Sequence, residues 1–289
     1  MLLPFSELFH KFAEMLKHFC ILLLLIASFF ANAQAQIRPI NSAWMVEFGA
    51  ASVADTYLSP VKYSGLHYAI AYNQRQALST RPLLQGWDIN INFNQTTNPV
   101  RNASMLGLRA EGGWRLMNKW NLPKNLTLGI GGYVGIDIGV LYLSRNGNNP
   151  AQAEAAITVG PQGFIQWKSK LGKTPITLRV EAWSPLFGGF FCPDYGELYY
   201  EISLGNLSDL AHIAWSGNYR RFQSLLSLDF HLGKCALRLG YKFIGTSVQT
   251  NHITMHRIEH SAVLGIVFDS LILNPKKPYN SAKIIPAYN

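Results

Sequence analysis

Trp87-Asp88-Ile89-Asn90-Ile91-Asn92-Phe93-Asn94 alternates apolar and polar residues without a break. Successive side chains of a strand point to opposite faces, so this stretch reads as a strand with one apolar and one polar face. The same reading recurs to either side. Ser104–Met117 sets Leu106, Leu108, Ala110, Gly112 and Trp114 against Gly107, Arg109, Glu111, Gly113 and Arg115. Thr174–Trp183 sets Ile176, Leu178 and Val180 against Arg179 and Glu181. Cys235–Gly245 sets Leu237, Leu239, Tyr241 and Phe243 against Arg238, Gly240 and Lys242. A polar face carrying both signs of charge suits a lumen, and an apolar face suits lipid.

Twelve segments carry this signature, and they predict an all-β chain forming an antiparallel transmembrane β-barrel. The opening stretch belongs to Leu84–Gln95, and the others are Ala43–Val53, Gly65–Arg75, Leu126–Leu143, Ala153–Trp167, Glu197–Gly205, Ala211–Tyr219, Gln223–Leu232 and Met255–Phe268. Glycines 129, 131, 135 and 139 share a face of Leu126–Leu143 and leave room for large side chains of a neighbouring strand. Pro161 interrupts the alternation of Ala153–Trp167 and predicts a bulge there. Trp44, Trp87, Trp114, Trp120 and Trp167 lie near strand ends, where an interfacial aromatic girdle belongs. A soluble secreted β-sandwich uses similar strands, but the length of these segments favours the barrel.

The chain opens on a targeting segment. Lys11, Lys17 and His18 precede the apolar run Phe19 to Phe30, and Ala31-Asn32-Ala33 and Ala33-Gln34-Ala35 follow as cleavage sites. The organisation read from this is a signal peptide over 1–33, a lead over 34–43, a barrel over 44–268 and a tail over 269–289. Either Met1 or Met15 serves as a start. Cys192 and Cys235 remain after cleavage, in a compartment that permits a disulfide, and sequence leaves open whether they pair.

The chain is basic, with a formal net charge of +9, yet only 14% of its residues are charged. In the cell outer membrane such a balance fits contact with membrane lipid and lipopolysaccharide, not nucleic acid. The barrel assembly machinery is the expected folding partner.

Chemistry-bearing patterns are weak. His256-Arg257-Ile258-Glu259-His260 has zinc-protease spacing, but that motif works on a helix. Residues four apart on a strand stand ~13 Å apart, too far to share one zinc. No metal or cofactor is expected. His212 with Ser216, and Ser227 with His231, offer serine–histidine pairs for a lipid-acting hydrolase, against ordinary polar wall residues. Ser184–Tyr195 reads as an unusually apolar outer loop. Its Phe187, Phe190, Phe191, Asp194 and Tyr195 form either a lid or ligand platform, or a lumen plug. The charged lumen itself is read as Arg109, Glu111, Arg115, Arg179, Glu181, Arg238 and Lys242, a set favouring anions.

The connections carry a likeness. Asp55-Thr56-Tyr57-Leu58-Ser59-Pro60, Asn98-Pro99-Val100-Arg101-Asn102-Ala103, Arg145-Asn146-Gly147-Asn148-Asn149-Pro150 and Pro193 to Ile202 resemble a family of uncharacterised outer-membrane barrel-like envelope proteins of gut-type Gram-negative anaerobes. The resemblance spans roughly Trp44 to Phe268. It implies an envelope barrel and brings no activity or catalytic residues. The resulting expectation is a non-enzymatic narrow channel or a structural or ligand-binding barrel, with the hydrolase and the secreted sandwich as alternatives.

Overall fold

The computed structural model describes residues 39–78, 82–147, 149–195, 209–233 and 235–270. The signal segment, the expected strand Glu197–Gly205 and most of the tail fall outside them.

The described residues form β1 (Ile40–Asp55), β2 (Ser59–Ala77), β3 (Leu83–Thr97), β4 (Ser104–Leu122), β5 (Leu126–Leu143) and β6 (Ala151–Leu171). There follow β7 (Thr174–Trp183), β8 (Phe187–Phe191), β9 (Ala211–Trp215), β10 (Tyr219–His231), β11 (Cys235–Thr250) and β12 (Ile253–Ser270). Pairing runs β5-β4-β3-β2-β1-β12-β11-β10-β7-β6, and β5 also pairs with β6. The ring therefore closes on ten antiparallel strands, with β8 and β9 outside it. Closure removes every free edge within the ring, which two packed sheets do not do.

Twelve strands are described, about the number expected, but ten close the ring, and the reason that β8 stands apart is local. β6 is long, and its edge away from β5 pairs with β7 through Gln162–Leu171 and with β8 through Ala155–Val159. β8 thus continues β7 in the same direction, after a one-residue shift of register at Ser184-Pro185-Leu186. The expected apolar outer loop is in this part a strand. The bulge expected at Pro161 sits on the partner instead, because β6 pairs with β5 in unbroken register through Gly132↔Pro161. Gly160 makes that crossing possible, since a Cβ there would lie 2.0 Å from the Ser184 carbonyl oxygen. β9 pairs with β8, and the turn Ser216-Gly217-Asn218 then leads into β10, which pairs with β7 and β11. The expected continuous strand Ala211–Tyr219 is broken there. Asn218 closes the turn by accepting from the Trp215 amide at 2.9 Å and donating to the Ile213 carbonyl at 2.8 Å.

Alternation dictates the two faces. Ile89 and Ile91 are 56% and 53% exposed on the outside, whereas Asn90, Asn92 and Asn94 are buried inside. Trp44, Trp87, Trp120 and Trp167 stand exposed on the outer face. Each lies on the half of its strand nearer the chain-terminal end of the barrel, where β1 begins and β12 ends. Trp114 joins them, its ring centroid 6.4 Å from that of Trp87. Inside, Gly113 and Gly129 leave space that Tyr133 and Phe164 fill: a Cβ at either glycine would overlap the aromatic ring. Among the described residues, Ile40 and Ser270 pair across β1 and β12, so strand pairing takes in residues ahead of position 44 and beyond 268.

Candidate functional site

The lumen is layered. At the chain-terminal end, Met45, Ala71, Leu225, Val263 and Val267 pack together on one side, and Leu84, Met117 and Phe164 on the other. At the distal end, Val53, Leu58, Tyr63, Met105, Leu141 and Leu143 form one apolar group. Phe190, Cys192, Ala214, Tyr219, Val248, Ile253 and Met255 form the other. Between these layers lies a belt of charge.

Every residue expected in the lumen points into this belt and is buried. Arg109 Nη2 is 2.7 Å from Glu259 Oε2, and Arg109 Nε is 2.5 Å from Glu111 Oε1. Arg221 joins Glu111 at 2.8 Å and Asp137 at 3.1 Å. Arg115 meets Glu181 at 2.9 Å and also pairs with Asp88. Arg75 reaches Asp88 at 2.9 Å and Glu181 at 3.5 Å. Arg179 binds Gln166 Oε1, and Arg238 grips Asp229 with two bonds of 2.7 and 2.8 Å. Lys242 lies 2.8 Å from Glu47, and Arg257 pairs with Glu154. His67 sits between two acids, bonded to Asn94 at 2.7 Å and 3.9 Å from both Glu47 and Glu259.

Several of these pairs cross the interior. Arg75 and Glu181 belong to β2 and β7, five steps apart around the ten-strand ring and so diametrically opposed. The belt also corrects the anion-selective lumen. Glu47, Asp88, Asp137, Glu154, Asp229 and Glu259 join the acids, and Arg75, Arg221 and Arg257 join the bases, so eight acids face eight bases. Sequence held the signal for the missed members: each shares the face of an inward neighbour, as Asp88 does with Asn90. It could not show that strands on opposite walls bring them into contact.

The serine–histidine pairs are not assembled. Ser227 and His231 are four residues apart on β10, ~13 Å along a strand. Asp229 is committed to Arg238, and His231 Nε2 lies 2.8 Å from Thr177 Oγ1. His212 faces inward on β9, 3.1 Å from both the Cys192 carbonyl and Asn251 Nδ2, while Ser216 belongs to the exposed turn. His256 and His260 project outward from β12 and Glu259 inward, so the zinc-like spacing converges on nothing. Of the apolar segment, Phe190 drops into the distal layer, Phe187 faces outward, Phe191 is half-buried, and Asp194 and Tyr195 are exposed.

Cys192 and Cys235 are free thiols, one buried and one exposed. Cys235 opens β11 at the chain-terminal end, and Cys192 packs beside Val248 near its other end. The thirteen residue steps from position 235 to 248 hold the two ~40 Å apart, which rules out a bridge. Burial pushes the Cys192 thiol up to about 12.

A family model described as a protein of unknown function, DUF3316, matches residues 16–277. The chain belongs to that family. No curated protein matches it. Among solved structures, the β domain of the Bordetella autotransporter BrkA is similar at 11% identity and a TM-score of 0.39, covering 79% of this chain and 98% of that one. The outer membrane protease OmpT from Escherichia coli is similar at 6% identity and a TM-score of 0.40, covering 82% and 97%. Neisserial surface protein A is similar at 8% identity and a TM-score of 0.31, covering 78% and 96%. None of these scores supports a transfer of activity.

Proposed function

We propose that this DUF3316 member is an outer-membrane barrel whose own side chains seal its lumen, acting as a non-conducting structural or ligand-binding element. The observation that carries this reading is the ion-pair belt, which spans the interior between two apolar layers. A central cavity of ≈ 50 Å³ beside Glu47, Asn90, Arg115 and Lys242 has room for a few waters and no passing solute. An ion would have to part buried pairs whose separation strands charge in a low-dielectric interior.

The membrane assignment rests on the apolar outer face and the tryptophans near one end, which complement a lipid core and its interface. The chain-terminal end then lies in the periplasm, and the distal end, with Cys192 and Leu210, faces outside. Lipid and lipopolysaccharide are the surrounding partners, the barrel assembly machinery inserts the chain, and nucleic acid has no part. The hydrolase reading loses support because neither serine–histidine pair is assembled.

Bilayer recording of the purified barrel tests the proposal. The expected record is silent at moderate voltage, with the protein shown to be inserted by a mobility shift on boiling. A steady conductance, reversed in ion preference by Arg109→Glu with Arg179→Glu, would establish the channel instead.

A further inference from the structure

Between the charge belt and the distal apolar layer lies a second cavity of ≈ 50 Å³. Its walls differ by side. Phe190, Val248, Ile253 and Met255 line the distal half, and Arg221, Thr246 and Arg257 line the floor, with Arg109 and the carboxylates of Asp137 and Glu154, which pair with Arg221 and Arg257, beside them. The three floor residues stand on one rung of the sheet, paired Arg221↔Thr246 and Thr246↔Arg257. Arg221 Nε, Arg257 Nε and Thr246 Oγ1 are buried without a hydrogen-bond partner, against one such acceptor on the lining, Asp137 Oδ2. Buried donors without partners are costly, and here they gather beneath an apolar wall.

Access to this cavity is also distinctive. β8 and β9 stand outside the closed ring, and among the described residues β9 pairs in backbone with β8 alone. The Trp215 indole lies over Gly217 in the turn that follows, so close that a Cβ at Gly217 would sit 2.1 Å from the ring. Trp215 and Ile213 face outward, and Ala214 behind them belongs to the same apolar group as Val248 and Met255. Among the described residues the wall is therefore thinnest in pairing beside the cavity, and its outer side there is apolar.

We propose that this cavity binds a single-chain amphiphile with an anionic oxygen head, the head on Arg221, Arg257 and Thr246 and the chain between Phe190, Val248 and Met255. The head and first carbons occupy the existing space, and displacement of β9 with Trp215 admits the rest from the membrane side. The inference rests on the closed-barrel reading and names its ligand class.

The test uses the full-length barrel in phosphatidylcholine nanodiscs, with palmitate labelled with carbon-13 at the carboxyl, at alkaline pH. The expected spectrum shows a slowly exchanging carboxyl resonance that saturates at one per barrel. Val248→Trp should abolish it, and Arg257→Gln should weaken binding at least tenfold. Should Val248→Trp fail to shift on boiling, Ile253→Phe fills the same half. A resonance unchanged in the filled variants means annular binding only and overturns the site. Equal binding of palmitate methyl ester overturns the anionic head, and equal displacement by inorganic phosphate overturns the chain. Absence of saturable binding with silent bilayers overturns the ligand and leaves the closed barrel standing, whereas a steady conductance overturns the closed barrel itself.

Discussion

Arg109 on β4 and Glu259 on β12 stand four strands apart in the ring and meet at 2.7 Å across the lumen. Both are buried, and each has further partners: Glu111 for Arg109, and Asn94, at 2.7 Å, for Glu259. Breaking a buried pair on one side strands the remaining charge, at about 3–5 kcal/mol. Glu259→Gln should therefore lower the temperature of the boiling-induced mobility shift strongly. Arg109→Met combined with Glu259→Met should recover part of the loss, because no lone charge remains. A double variant as unstable as the sum of the singles would show that the pair is not coupled.

The outer face makes a sharper membrane prediction than any interior residue. Ile91 and Leu239 project outward from mid-strand positions of β3 and β11. An arginine on the lipid face near the bilayer midplane costs about 2–4 kcal/mol. Ile91→Arg and Leu239→Arg should each reduce stability in lipid by that order, while Leu171→Arg, at the strand end near the interface, should cost little. Equal stability of all three in nanodiscs would argue against a lipid-facing exterior.

Gly160 and Gly147 separate a packing role from turn tolerance. A side chain at Gly160 would strike the Ser184 carbonyl where β7 gives way to β8, whereas a Cβ at Gly147 meets nothing within 4 Å. Gly160→Val should destabilise the barrel and loosen β8, read as faster amide exchange over 187–191. Gly147→Ala should leave both unchanged. Matching exchange in the two variants would mean the close crossing is absent.

The two thiols give a test that needs no substitution. Cys235 is exposed and Cys192 is buried, its thiol held neutral because burial pushes it up to about 12. Only the thiolate attacks a maleimide readily. At neutral pH the folded barrel should take one label, at Cys235, and a second only after unfolding. Identical migration of reduced and non-reduced unfolded chain should accompany this. A reduction-dependent shift would indicate the bridge that their separation forbids.

Much of the barrel was legible in single strands. The alternation of Trp87–Asn94 fixes an outer and an inner face because a strand's side chains have a period of two. That is why Arg109, Arg115 and Arg238 were recognisable as inward. The alternation fails where backbone geometry changes without a change in composition. Ser184-Pro185-Leu186 reads as the start of a loop, yet one extra residue there only kinks a strand that resumes as Phe187–Phe191. Ser216-Gly217-Asn218 reads as strand, yet Asn218 folds back on Trp215 and breaks it.

By itself, then, the sequence determined the all-β character, the apolar exterior and the polar interior, because these follow from side-chain period and the solvation of each residue type. Tertiary structure alone decided that ten strands close the ring, that Arg75 on β2 meets Glu181 on β7, and that the lumen is filled. Those outcomes depend on register and curvature around the whole ring. A one-residue shift between distant strands leaves local alternation intact and changes every contact across the interior.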